Sequence, residues 1–173
     1  KSPATFSMDK LLWFNKYYLD QMSIDQLMEV VELQHFDGSE YSKTVMETIR
    51  DRCSTLNEFS SNADYFFKDP EDYDPSLLLK HCKEDTFNHL SLLKDQLEAL
   101  EIWEQTYIKE VIDSVVSDLD IGFGKIGLPL RLALTATVNS PSIDLVCEIL
   151  GKEITLRRLE NFLTKIKNLK TDQ

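Results

Sequence analysis

The sequence predicts an all-α protein made of two consecutive helical subdomains, residues 1–70 and 71–173. Three observations carry that expectation. Apolar residues recur at steps of three and four along most of the chain, the spacing of one helix face. No stretch sustains the period-two alternation of a half-buried strand. An acidic connection with two prolines, Lys68-Asp69-Pro70-Glu71-Asp72-Tyr73-Asp74-Pro75, interrupts the pattern and sets the boundary. The 173 residues are 42% apolar, enough material for one full core or two small ones.

Each element follows from local signals. Trp13, Phe14, Tyr17 and Tyr18 fall at helical spacing near the start, which reads as core packing, with a stacking platform as the alternative. Ser23 opens the next helix, with Gln26 three residues on as a capping box, and Leu27, Val30, Val31 and Leu33 form its apolar side. Gly38-Ser39 is a break. Val45, Met46, Ile49 and Cys53 mark another helix, and Pro75 suits the first turn of the one after the acidic connection. Leu90, Leu93, Leu97 and Leu100 make one stripe; Ile108, Ile112, Val115, Val116 and Leu119 make a second. Breaks follow at Gly122 to Pro129 and at Ser140-Pro141. Gly151 suits a helix C-cap, and Leu156, Leu159, Phe162, Leu163 and Ile166 mark the last helix.

Composition narrows the function classes. No apolar run reaches the roughly 18 residues of a membrane helix, and no charged-then-apolar leader opens the chain. The chain does not begin with Met and reads as a fragment, with a soluble, cytoplasmic monomer expected. Cys53, Cys82 and Cys147 are widely spaced without a C-x-x-C pair, and His81, Cys82 and His89 lack the spacing of a four-ligand zinc site. No metal and no catalytic constellation are expected; G-x-S-x-G and H-E-x-x-H are absent. The net charge of −11 argues against nucleic acid, DNA above all, until its distribution is considered. Residues 1–120 hold 11 basic and 25 acidic side chains; residues 121–173 hold 8 basic and 5 acidic. The positive part comprises Lys125, Arg131, Lys152, Arg157, Arg158, Lys165, Lys167 and Lys170. It is either a solvated helix face or a local anion-binding face.

That part opens with Gly122-x-Gly124-x-x-Gly127, the glycine spacing of a dinucleotide-binding turn. The fingerprint requires a strand before it and an uninterrupted helix after it. Val111 to Leu119 leads in with helical spacing, and Pro129 follows two residues past Gly127. A P-loop is excluded too, because Ile126 follows Gly124-Lys125. The expectation is instead a tight turn, then a helix opened by Pro129 with Arg131 projecting from its first turn. Orphan N–H groups beside a guanidinium receive phosphate oxygens or base edges. The plainer alternative is a helix–helix elbow with a surface arginine.

Here the spacing resembles a family. Pro129-Leu130-Arg131-Leu132-Ala133-Leu134-Thr135, Ser140-Pro141, Ile149-Leu150-Gly151-Lys152-Glu153 and Leu156-Arg157-Arg158-Leu159 are similar to the end of bacterial-type glutamyl-tRNA synthetases. Ser2-Pro3-Ala4-Thr5-Phe6, Lys10-Leu11-x-Trp13-x-Asn15-x-x-Tyr18, Arg50-x-Arg52-x-x-Thr55-Leu56-x-Glu58-Phe59, Tyr65-Phe66-Phe67 and Glu101-x-Trp103 agree in order over almost the whole chain. Ala136 stands where the family usually has Gly.

The resemblance implies an all-helical anticodon-binding region of a class I synthetase, with residues 71–173 as the second, anticodon-binding subdomain. The family's ATP signatures, H-I-G-H and K-[ML]-S-K, are missing, so this stretch is not expected to charge tRNA alone. The longer enzyme would join glutamate to tRNA(Glu) with ATP and Mg²⁺. The resemblance assigns Arg52 to the third anticodon base, with rejection of glutamine tRNA. It assigns Arg131 to the first base, and Ser140 and Ile143 to the segment flanking that base. Lys125, Lys152 and Arg157 are candidate phosphate contacts. Arg50 and Arg52 are expected on one helix about 200° apart, with Arg50 paired to Glu47 or Glu58 and only Arg52 facing RNA. The acidic run Asp69 to Asp74 is expected to face away from RNA. The second functional reading is a helical module that binds a basic protein partner.

Overall fold

The computed structural model describes residues 7–31 and 37–171, with side chains as far as Asn168. The Ser2–Phe6 motif, Leu33 and the side chain of Lys170 lie outside the described residues. Ten helices run through the rest: α1 (Met8–Gln21), α2 (Ile24–Val30), α3 (Glu40–Arg50), α4 (Leu56–Phe67), α5 (Pro75–His81), α6 (Thr86–Ala99), α7 (Gln105–Asp118), α8 (Gly124–Thr135), α9 (Ile143–Leu150) and α10 (Lys152–Thr171). No strand occurs among the described residues. The chain divides between Phe67 and Lys68 into two compact units.

In the first unit, short polar residues start the helices. Ser23 and Gln26 form the capping box: Gln26 N–H donates to Ser23 Oγ at 3.2 Å and Ser23 N–H to Gln26 Oε1 at 2.8 Å. Ser39 caps α3, and Asp37 accepts from Ser39 N–H and Ser42 Oγ–H. Those hydrogen bonds from Ser39 and Ser42 hold the Asp37 carboxyl down at about 2. α3 packs on α4, burying Val45, Met46, Ile49, Phe59, Ala63 and Phe66. Tyr41 ties the pair together by donating to the Phe66 carbonyl at 2.8 Å.

Three details of this unit differ from the sequence reading. Arg50 pairs with neither Glu47 nor Glu58; its Nη2 donates to the carbonyls of Leu19, Asp20 and Met22 at 3.1, 2.6 and 2.5 Å. The end of α1 has orphan carbonyls, and a long cation satisfies several at once. Glu58 instead accepts from Ser54 N–H at 2.6 Å, ahead of α4. Trp13, Phe14, Tyr17 and Tyr18 are not core residues: each is half to two-thirds exposed. Their rings cover one another, Trp13 stacking on Tyr17 with centroids 5.9 Å apart. The buried residue of α1 is Leu19.

The second unit is built around α8. Between Ile126 and Thr135 every side chain except Leu128 and Arg131 is buried, so this helix is surrounded rather than amphipathic. α6 packs on α10 and α7 on α9; of the leucine stripe expected from sequence, Leu90, Leu93 and Leu97 are buried, and Leu100, just past α6, is half-buried. Trp103 Nε1–H donates to the Cys147 carbonyl at 2.9 Å, fixing α9. Asp74 caps α5, whose first residue is Pro75, and Gly151 ends α9 at φ 80°.

The glycine segment departs from expectation at one point. Pro129 does not open α8; it lies inside it, five residues past the start at Gly124. The helix begins with tight turns, Lys125 N–H to Gly122 O at 2.9 Å and Ile126 N–H to Phe123 O at 3.0 Å. Pro129 lacks the N–H that would have reached back to Lys125. Gly127 has a steric purpose. A Cβ there would lie 2.3 Å from Cε1 of Phe123, so only glycine lets that ring rest on the helix.

Candidate nucleic-acid interface

Arg131 is the cation of the buried part of α8, and it is fastened to the loop beyond the helix. Its Nη1 donates to the carbonyls of Ser140 at 2.8 Å and Pro141 at 2.6 Å, and to Ser140 Oγ. Residues 136–141 thereby fold back along α8. Three of the carbonyls at the helix end that starts this loop have partners. Leu132 O accepts from Ala136 N–H, Ala133 O from Tyr73 Oη–H, and Leu134 O from Arg158 Nη1–H. Arg131 O accepts from Thr135 Oγ1–H at 2.8 Å. Ala136 turns the chain in the left-handed region, φ 54° and ψ 11°, the conformation for which glycine is the usual residue.

Arg131 and Ser140, assigned to one base, are therefore in direct contact. Ser140 is 6% exposed. Ile143 is 2% exposed, the first residue of the buried stripe Ile143, Val146, Cys147 and Leu150. What it offers the outside is the start of α9, not its side chain. Arg52 belongs to the other unit. It is exposed, two residues past the end of α3, with its N–H on the Ile49 carbonyl at 2.9 Å. Arg50 and Arg52 thus do not share a helix: α3 ends at Arg50, because the chain turns at Asp51 toward α4.

The phosphate candidates separate into two kinds. Lys125 is exposed on the first turn of α8 and lies about 120° around the helix from Arg131. Lys152 Nζ donates to the carbonyls of Glu98 and Leu100, both at 2.7 Å, and so caps α6. Arg157 is paired with Asp69, Nη2 to Oδ2 at 2.8 Å. Asp69, the first carboxylate of the acidic run, thus lies against the last helix. The residue behind this arrangement is Arg158, which the sequence reading left unassigned. It is 3% exposed and donates to Asp69 Oδ1 at 2.8 Å, the Lys68 carbonyl at 3.0 Å and Leu134. Burial would raise the Asp69 carboxyl, but the hydrogen bonds and charges of Arg158 and Arg157 hold it below the usual range. Only the pairing of Leu-Arg-Arg-Leu with an acidic turn far upstream could have signalled this from sequence.

Among the described residues the candidate nucleophiles are otherwise engaged. S-x-x-K was counted absent from the sequence with the other catalytic motifs, but Ser91 and Lys94 have that spacing. Ser91 Oγ donates to Phe87 O at 2.8 Å, and Lys94 is held charged by Glu160 at 2.8 Å. Burial pushes Cys147 up strongly and Cys82 to about 11, so neither is a ready thiolate. Among the described residues no cluster of three His, Cys, Asp or Glu could hold a metal ion. No described helix is long and apolar enough to cross a membrane.

The family described as "Anticodon binding domain" matches residues 18–163. The glutamate–tRNA ligase of Ruthia magnifica subsp. Calyptogena magnifica is 35% identical over 166 residues, covering 92% of this chain and 36% of the ligase. A glutamate tRNA ligase from Elizabethkingia meningosepticum CCUG26117, solved in complex with its amino acid, superposes with a TM-score of 0.80 at 25% identity. A glutamate-tRNA synthetase from Elizabethkingia anophelis superposes at 0.76 and 24% identity, a likeness of fold. In each, 92% of this chain matches 32% of the other. The chain spans about a third of the length of these relatives.

Proposed function

We propose a function from one premise: the chain belongs to the anticodon binding domain family. Its task is to recognise the unpaired anticodon bases of tRNA(Glu). The step that joins glutamate to the tRNA with ATP and Mg²⁺ falls to portions that the ligase relatives possess and this stretch does not. The observation that carries the reading is Arg131 fastened to Ser140 and Pro141, a guanidinium built into a folded-back loop within the matched residues.

Anticodon bases are single-stranded and can be splayed from their stack, exposing their hydrogen-bonding edges and faces. The planar guanidinium of Arg131 stacks on a base face while holding the loop that borders it. Ser140 fixes the loop, and the start of α9 at Ile143 closes its far side. Arg52, exposed in the turn after α3, reads the third base with its fork of donors and favours the glutamate over the glutamine anticodon. Lys125 supplies a phosphate contact.

Binding of labelled tRNA(Glu) at low salt tests this. Arg131→Ala is expected to weaken binding by about 1–3 kcal/mol and to relax choice at one base, whereas Arg131→Lys keeps the charge and still loses most of that choice. Arg52→Ala is expected to narrow the gap between glutamate and glutamine anticodons. Equal losses on every RNA would reduce both residues to phosphate contacts and overturn the base-reading role.

A further inference from the structure

Beyond the two arginines, we propose that Phe123 is a stacking platform for an unpaired nucleobase, seated by Gly127 on the same side of α8 as Arg131. The inference rests on the anticodon reading and adds to it a residue that the arginine assignments do not include.

Phe123, Gly127 and Arg131 are spaced four residues apart, and i, i+4, i+8 positions form one row along a helix. Phe123 has helical backbone angles, φ −47° and ψ −37°, and its carbonyl accepts from Gly127 N–H at 2.7 Å, so the row starts in register. Its ring lies over Gly127, toward the Arg131 end, although helical side chains ordinarily lean the other way. From Gly127 to Arg131 the helix rises about 6 Å, within the span of a single nucleotide's base and sugar. The ring is 48% exposed, at the start of a helix most of whose later residues are buried. Glycine in a helix is destabilising by about 1 kcal/mol relative to alanine. Here it clears the space that an aromatic plane occupies, and a Cβ would displace that plane. A half-exposed apolar ring seated at a glycine, one turn from a guanidinium, matches how proteins bind single-stranded bases: a π-face for stacking beside a cation.

A structural cover for the backbone and a stacking platform make different demands. Leucine covers a helix but has no π-face; tryptophan has a larger one. Gly127→Ala leaves Phe123 in the chain and improves helix propensity, yet evicts the ring. The experiment uses the full chain with an anticodon stem-loop of tRNA(Glu) sequence carrying 2-aminopurine at each anticodon position in turn. Thermal melts are run on every variant. The expected result is that Phe123→Leu and Gly127→Ala weaken binding about 5- to 100-fold and abolish quenching at one position. Phe123→Trp retains both, and Gly127→Ala does not lower the melting temperature. Wild-type affinity and quenching in Phe123→Leu, with Arg131→Ala still defective, would overturn the platform and leave anticodon reading intact. If neither substitution changes binding, or the wild-type chain does not bind the stem-loop, the underlying reading falls with it.

Discussion

At the residue scale, the left-handed turn at Ala136 shows how far a single position can be read. The resemblance marks 136 as a place where glycine is usual, and the structure supplies the reason: the chain leaves α8 there at φ 54°. An L-residue in that region costs roughly 1–2 kcal/mol, part of which glycine gives back in lost backbone entropy. Ala136→Gly is therefore expected to stabilise the protein by about 1 kcal/mol in urea unfolding; a destabilised variant would mean that Ala136 makes packing contacts that outweigh its strain. Arg131 was legible as a cation at a helix-associated motif, but its bonds to Ser140 and Pro141 were not. They depend on a loop that closes back nine and ten residues later. Arg50 was legible only as the arginine that does not face the same side as Arg52. Its true partners, three carbonyls at and just past the end of α1, are some thirty residues upstream and carry no side-chain signal.

At the element scale, periodicity located the helices and erred where two local rules competed. Proline at a helix start is the common case, so Pro129 was read as the first turn; the preceding glycines and tight turns allow α8 to begin at Gly124 instead. The stripe of aromatics on α1 was visible, but periodicity says that a face is apolar, not that anything within the chain covers it. The connection before α5 was read from its prolines, while its attachment was hidden because Asp69 and Arg158 are distant in sequence. That attachment makes a measurable demand. Asp69→Asn leaves a buried guanidinium without its carboxylate. Because Asp69 is 42% exposed, the expected loss is about 1–3 kcal/mol, below that of a fully buried pair. The pH dependence has a definite sign. Asp69, Asp74 and Asp37 all have carboxyls held below their ordinary values, Asp37 at about 2. Their contribution is complete above the unfolded value near 4 and is lost as the pH falls through the depressed folded values. Thermal melts from pH 5 to 2 are expected to decline, and Asp69→Asn to decline less. Identical slopes would remove Asp69 from the account.

At the scale of the whole molecule, the distribution of charge matters more than its sum. The basic excess of residues 121–173 leaves a solvated helix face and a local anion-binding face both open; in the structure Lys152 and Arg157 are engaged within the second unit and Arg158 is buried there. The remaining face is small, on a chain whose net charge of −11 repels phosphate. Binding to tRNA is thus expected to depend weakly on salt, with log K against log [salt] sloping about −1 to −2, as for one to three phosphate contacts on a single strand. Lys125→Ala should make it shallower still, and a slope several times steeper would require a basic surface that these residues do not form.

The central claim is that bases, rather than backbone, are read by residues placed at 52 and at 131. The most direct measurement is amide NMR of the labelled chain titrated with two tRNAs that differ only in carrying a glutamate or a glutamine anticodon. The expected result is a set of shifts in the turn around Arg52 and in residues 122–143, with the Arg52 shifts reduced for the glutamine anticodon. Shifts that are the same for both tRNAs, or that spare both regions, would contradict it. Such a result would direct attention to the acidic surface and a basic protein partner.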